Sequence, residues 1–202
     1  MIKAVVFDVG GVLQTRQSKF FTKYIYKKFQ IDKLEFDKTF QKIFPLLTTG
    51  KINERSFWKK FIKETKSKIP IPKKSPFENK KYLSLHKKNF KVIEIVKNLK
   101  QNKYKLAILS NTISAHAKIC RKKGLYDLFP IVILSNEVGL RKPDPEIYRL
   151  VLKKLGTKPV ETIFIDDREE NTNTADKLGF KTIVFKNAEQ LKRALKKFKV
   201  SL

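Results

Sequence analysis

Five short apolar runs constrain this chain most: Ala4–Phe7, Leu106–Leu109, Ile131–Leu134, Ile163–Ile165 and Thr182–Phe185. Each is rich in β-branched, aliphatic or aromatic residues and too short for a buried helix, so each is predicted to be a strand. The runs are continuous rather than alternating, the pattern of strands covered on both faces of a parallel sheet. Helical periods lie before, between and after the last four. Phe90 to Leu99 places Val92, Ile93, Val96 and Leu99 on one side, and Ser114–Lys123 runs up to Gly124. Asp144 and Pro145 supply an N-cap and a first-turn proline to a helix that carries Ile147, Leu150, Val151 and Leu155 and stops at Gly156. Asn171–Leu178 and Ala188–Phe198 complete the set. This alternation predicts an α/β fold, a doubly wound parallel sheet.

Between the first two strands the rhythm breaks. The stretch from Gln14 to His86 reads as three helices, Lys19–Phe29, Leu34–Leu47 and Asn53–Lys66, followed by a loop marked by Pro70, Pro72 and Pro76. The predicted organisation is therefore a core of residues 1–14 and 87–202 with a helical insertion of residues 15–86. A chain with 41% hydrophobic residues and 16 Phe can bury a core in both parts. The aromatic stripe of Phe57, Trp58 and Phe61 is expected to fill the core of the insertion. Cys120 has no second cysteine to pair with in the chain, and it is expected as a buried helix residue.

No apolar run approaches the ~18 residues that would suggest a membrane-spanning helix. The opening segment holds one lysine and has Asp8 in its middle, unlike a secretory signal. The expectation is a soluble cytoplasmic protein, monomer or homodimer, without a membrane partner.

The charge is large. Of 202 residues, 46 are Lys or Arg and 19 are Asp or Glu, a net +27. It is spread out: 19 basic residues face 6 acidic ones over 16–86, and 26 face 12 over 87–202. There is no basic tail, so no specific nucleic-acid partner is expected. The field favours anionic small molecules.

Chemistry-bearing residues fall where strands end, the edge at which open α/β sheets bind ligands. Asp8 follows the first strand. Ser110 and Asn111 follow the second, Asp166 and Asp167 the fourth, and Lys142 lies in a loop before a helix. Three neighbouring carboxylates repel one another, and a hard divalent cation such as Mg²⁺ relieves that. One carboxylate could attack phosphorus, Ser110 and Asn111 could donate to phosphate oxygens, and Lys142 could offset the charge that builds up.

The segments Phe7-Asp8-Val9-Gly10-Gly11-Val12-Leu13, Leu109-Ser110-Asn111-Thr112, Gly139-Leu140-Arg141-Lys142-Pro143-Asp144-Pro145 and Phe164-Ile165-Asp166-Asp167-Arg168-Glu169-Glu170-Asn171 resemble, in order and spacing, the four motifs of the haloacid dehalogenase superfamily. The stretch Thr49 to Trp58 resembles a cap segment of its small-molecule phosphatases, among them sugar-phosphate phosphatases. The resemblance implies a Rossmann-like core with an inserted helical cap. It implies Mg²⁺-dependent hydrolysis of a small phosphate monoester, a sugar phosphate or similar metabolite, through an aspartyl-phosphate. Asp8 would be nucleophile and metal ligand. The carbonyl of Gly10, Asp167 directly and Asp166 through water would hold the metal. Ser110 and Asn111 would bind the phosphoryl group, and Lys142 would organise the charges. The dehalogenase branch is similar elsewhere but lacks the acidic pair, so Asp166-Asp167 favours phosphoryl chemistry.

One position departs from the pattern. Such phosphatases usually carry a second Asp two residues after the nucleophile as a proton shuttle, and here that residue is Gly10. A slow enzyme or a non-catalytic regulator is the alternative this raises. Thr15, His86 and Glu137 are alternative shuttles, and Asp144, Arg168 and Asn171 are expected to shape loops and helix starts. His86 and His116 are otherwise expected at the surface or a hinge.

Overall fold

A computed structural model describes residues 1–15 and 18–202. The predicted insertion starts at residue 15, and its Arg16 and Gln17 lie outside the described residues. Five strands, β1 (Ala4–Phe7), β2 (Lys105–Ser110), β3 (Ile131–Leu134), β4 (Thr162–Asp166) and β5 (Lys181–Val184), form one sheet in the order β3-β2-β1-β4-β5. Every pairing is parallel; Val6 stands opposite Ala107 on one side and Phe164 on the other. The predicted α/β class is correct, and so is the location of all five strands. Their ends move by one residue where a polar residue such as Lys105, Ser110, Thr162 or Asp166 extends the apolar run.

Ten helices are described: α1 (Ser18–Phe29), α2 (Lys33–Thr48), α3 (Glu54–Thr65), α4 (Lys80–Ser84), α5 (Phe90–Gln101), α6 (Ser114–Lys122), α7 (Ser135–Val138), α8 (Pro145–Leu155), α9 (Glu169–Lys177) and α10 (Ala188–Lys197). Several predicted ends have the expected chemistry. Asp144 Oδ1 accepts a hydrogen bond from Glu146 N at 3.0 Å, with Pro145 opening α8. Asn53 Oδ1 accepts from Ser56 N at 2.9 Å at the start of α3. Each satisfies an amide that the helix leaves unpaired. Helix α9 starts two residues earlier than expected, with Glu169 and Glu170 in its first turn, where carboxylates oppose the positive end of the helix dipole. The one-turn helices α4 and α7 are too short to leave a periodic signal in sequence.

The strand residues divide by parity. Val5, Phe7, Leu106, Ile108, Ile163 and Ile165 face α5 and α10, whose Val92, Val96, Leu191 and Leu195 are fully buried. Ala4, Val6, Ala107, Leu109 and Phe164 face α8 and α9 through Ile147, Tyr148, Val151 and Ala175. Burial on both faces stabilises the sheet by ~25 cal/mol per Å² of apolar area removed from water, and it fixes the register that delivers each strand end to one edge.

Helices α1, α2 and α3 share a separate core of Phe21, Ile25, Phe29, Phe36, Ile43, Phe57, Trp58 and Phe61. Trp58 stacks on Phe29 with ring centroids 5.1 Å apart, and its Nε1 donates to Glu54 Oε1 at 2.9 Å. The aromatic stripe is core, as its spacing predicts. Ile113, just beyond β2, belongs to this cluster too and joins it to the sheet. A second link is polar: buried Ser135 Oγ donates to the carbonyl of Thr48, at the end of α2. Among the described residues, no helix is long and apolar enough to cross a membrane.

Candidate active site

Strand order changes direction between β1 and β4, and this is where the acids gather. Asp8 continues β1, Asp166 ends β4 and Asp167 follows it. Asp8, Asp166 and Asp167 can each present one carboxylate oxygen within 4.8 Å of the others. Asp8 and Asp166 are buried and Asp167 is partly buried. Three carboxylate oxygens so close, in a site shielded from water, are a hard-oxygen donor set of the kind that divalent cations occupy.

Lys142 is 1% exposed, and its Nζ donates to Asp8 Oδ1 at 2.8 Å and to Asp166 Oδ2 at 2.6 Å. The ammonium lies 5.4 Å from the centre of the Phe164 ring. One cation between two buried anions leaves net negative charge in the cluster, which a further cation would offset. The loop that brings Lys142 here is held by Asn111: Lys142 N donates to Asn111 Oδ1 at 2.8 Å, and Asn111 Nδ2 donates to the Lys142 carbonyl at 2.7 Å. The Asn111 side chain thus positions the lysine, a role that sequence reasoning missed. Ser110 is buried at the end of β2 and lines the same cleft.

Asp166 is held by several partners at once. Besides Lys142, it accepts from Arg168 N at 2.9 Å and, through both oxygens, from Asn171 Nδ2 at 3.0 Å. Tyr148 Oη in turn donates to the Asn171 carbonyl at 2.9 Å. Burial raises the Tyr148 phenol pKa, and the charges of Asp166 and Asp8 push it the same way, so the phenol stays a donor. Asn171 and Arg168, expected to shape the loop, do so by gripping a carboxylate of the site.

The two glycines after Asp8 differ. Gly11 has φ +93°, and a Cβ built on it would lie 2.2 Å from Asp167 Oδ2. Only glycine lets the Asp167 carboxylate lie against this turn. Gly10 is not among the residues with positive φ and forms an isolated bridge with Gln14.

A cleft of about 360 Å³ opens over the acids between the sheet edge and the helices of 18–65. Asp8, Gly10, Ser110, Asn111 and Lys142 line it together with Phe21, Phe40 and Phe44. Arg141 and Arg168 also line it. Burial lowers the Arg141 pKa, and the nearby Arg168 charge lowers it further. Of the alternative proton shuttles, Thr15 and His86 reach the cleft, and Thr15 Oγ1 donates to the Leu85 carbonyl at 2.7 Å. Glu137 is not among the lining residues and instead pairs with Arg121 at 2.7 Å.

The expectation of a surface or hinge residue holds for His86, half-buried at the end of the insertion, and is corrected for His116. Both line the cleft, 5.8 Å apart between ring centres, and His116 Nε2 lies 3.3 Å from the Phe77 carbonyl. Burial, helped by the charge of His86, pulls the His116 pKa down to about 4. Helix α6 turns His116 inward on the same side as buried Ala117 and Cys120, a packing that sequence spacing alone does not fix. Cys120 is buried as expected, and burial pushes its thiol pKa up.

A parallel α/β core with a carboxylate cluster at its switch point is a place for ligand and divalent-metal chemistry. The family model of the haloacid dehalogenase-like hydrolases matches residues 2–179, and the chain belongs to that family. It is 27% identical to the phosphorylated carbohydrates phosphatase of Thermotoga maritima over 187 residues, 90% of this chain and 84% of that one. It is 27% identical to the bifunctional epoxide hydrolase 2 of Sus scrofa over 214 residues, 97% of this chain but 38% of the length of that relative. A haloacid dehalogenase family enzyme from Bacteroides thetaiotaomicron, solved in complex with magnesium and inorganic phosphate, superimposes with a TM-score of 0.73 at 28% identity. That match covers 93% of this chain and 96% of the other.

Proposed function

We propose that the protein is a Mg²⁺-dependent phosphatase that hydrolyses a small phosphate monoester. The observation that carries this is the approach of Asp8, Asp166 and Asp167 to within 4.8 Å beside a buried lysine. Relatives named as phosphatases, and a neighbour holding magnesium and phosphate, support it.

Asp8, Asp167 and the Gly10 carbonyl would hold the ion directly. Asp166, saturated by Lys142, Asn171 and Arg168, would act through water. When bound, Mg²⁺ supplies positive charge to the phosphoryl oxygens. Asp8 attacks phosphorus, the ester P–O bond breaks, and the departing alkoxide takes a proton from water to leave as the alcohol. Water then cleaves the aspartyl-phosphate, releasing inorganic phosphate and restoring Asp8. Lys142 orients Asp8 and offsets charge on the transferring group. Ser110 donates to phosphate oxygens, and Asn111 holds the Lys142 loop. Residues 15–86 serve as a cap that limits water over the cleft.

Release of phosphate from p-nitrophenyl phosphate in Mg²⁺ tests this, with Asp8→Asn as the control that should lose turnover and keep the fold. Full activity in Asp8→Asn overturns the mechanism. Gly10 favours a second reading, a weakly catalytic or regulatory protein. Tight phosphate-ester binding without turnover across a metabolite panel would select it.

A further inference from the structure

We infer that the alcohol half of the substrate is apolar, an inference that rests on the phosphatase reading. The cleft lining is chemically mixed. Beside Asp8 and Lys142 it includes Phe21 of α1, Phe40 and Phe44 of α2, and Phe77. Phe40 and Phe44 are its partly exposed rings, and buried Phe21 and Phe77 pack against them. Phe40 and Phe44 stack at 4.3 Å, Phe21 and Phe77 at 4.9 Å, and Phe21–Phe40 and Phe44–Phe77 centroids are 6.3 and 6.2 Å apart.

Phe40 and Phe44 are only half-buried, whereas Phe57, Trp58 and Phe61 beneath them are closed off from water. The aromatic cluster therefore has an inner part that serves as core and a face that lines the cleft. Wetting that face is unfavourable, and an apolar ligand group relieves it. A polyhydroxylated alcohol would instead need free polar partners. Several polar groups along the cleft already bond within the protein: Thr15 Oγ1 to the Leu85 carbonyl, Thr48 Oγ1 to the Pro45 carbonyl at 3.2 Å, and His116 Nε2 beside the Phe77 carbonyl. Sugar hydroxyls placed against phenylalanine rings lose water without replacement.

The test compares 2-phenylethyl phosphate with glucose 6-phosphate. Both are primary alkyl esters with leaving groups of similar acidity, so the comparison reads the cleft rather than the chemistry. The phenylethyl ester should show at least tenfold higher kcat/KM, and Phe44→Asn should reduce that ratio severalfold. Phe44→Leu, which stays apolar, should keep most of it. Equal efficiency, or preference for glucose 6-phosphate, overturns the inference, and the unaltered protein alone decides this if Phe44→Asn fails to fold. If neither ester nor p-nitrophenyl phosphate releases phosphate in Mg²⁺, the phosphatase reading falls by itself. Calorimetric titration of the two uncleaved esters then reads the cleft: tenfold tighter binding of the phenylethyl ester supports the inference, and equal binding overturns it.

Discussion

Lys142 Nζ bridges Asp8 and Asp166, 2.8 Å from an oxygen of the first and 2.6 Å from one of the second, with all three side chains almost entirely buried. Removing the cation leaves two anions facing each other in a low-dielectric site, and breaking such a buried pair typically costs about 3–5 kcal/mol. Lys142→Met should therefore lower the denaturation midpoint strongly. Mg²⁺ should restore more stability to the variant than it adds to the unaltered protein, because the ion replaces part of the lost charge. Thermal scans with and without Mg²⁺ check this; equal Mg²⁺ shifts in both proteins would count against a metal at these acids.

The Gly11 turn gives a sharper test of the same site. A methyl group there would meet Asp167 Oδ2 at 2.2 Å, and the φ of +93° disfavours any side chain. Gly11→Ala should cost ~1–3 kcal/mol through backbone strain and displace the Asp167 carboxylate. The expected outcome is a weaker Mg²⁺ affinity by calorimetry in protein that still gives a native circular dichroism spectrum.

Asn171 holds both oxygens of Asp166 through one amide nitrogen. Groups that orient a metal-site carboxylate typically account for ~10–100-fold in affinity or activity. Asn171→Ala should lose Mg²⁺ affinity on that scale, with KM for the ester much less affected. A change in KM alone would mean that Asn171 acts on substrate rather than on Asp166.

His116 links stability to pH. Its folded pKa of about 4 lies below the ordinary 6.5 because burial, and then the His86 charge, disfavour the imidazolium. Between these values the unfolded chain binds more protons than the folded one. The stabilising contribution is therefore present above pH 6.5 and is lost as pH falls toward 4, by up to about 3 kcal/mol at ~1.4 kcal/mol per unit. Urea unfolding from pH 7.5 to 4.5 should show a steeper loss for the unaltered protein than for His116→Asn. Parallel curves would place the titration elsewhere.

What could be read in advance follows from how local each cause is. The five strands were legible because burial on both faces writes a continuous apolar run, and Ala4–Phe7 and Ile131–Leu134 match to the residue. Asp8, Asp166, Asp167 and Lys142 were legible as strand-end or loop residues, since parallel topology sends such positions to one edge. The pairing of Asn111 with the Lys142 backbone was not, because it joins residues 31 positions apart through a contact that neither neighbourhood signals. The inward turn of His116 depends on how α6 packs, and the aromatic wall depends on which face of α2 meets the sheet edge. A helical stripe of Phe36, Phe40 and Phe44 has the same spacing whether it closes a core or lines a cleft.

The absent shuttle at Gly10 can be tested by putting it back. Gly10 has no positive φ, so an L side chain meets no left-handed backbone there. Its neighbour Gly11 carries the turn, and Asp8 stands two residues before it on the same strand exit. An Asp at this position, where the family resemblance places the proton shuttle, would donate a proton to the leaving oxygen and then take one from the attacking water, a role typically worth ~10²–10⁴-fold. Gly10→Asp should raise kcat most for alkyl phosphates, whose alkoxides need the proton, and much less for p-nitrophenyl phosphate, whose leaving group does not. A uniform change across both esters would show that the substitution acts on the metal or on Asp8 instead. An unchanged rate on both would point to a group already in the cleft, with His86 and Thr15 the ones to replace next.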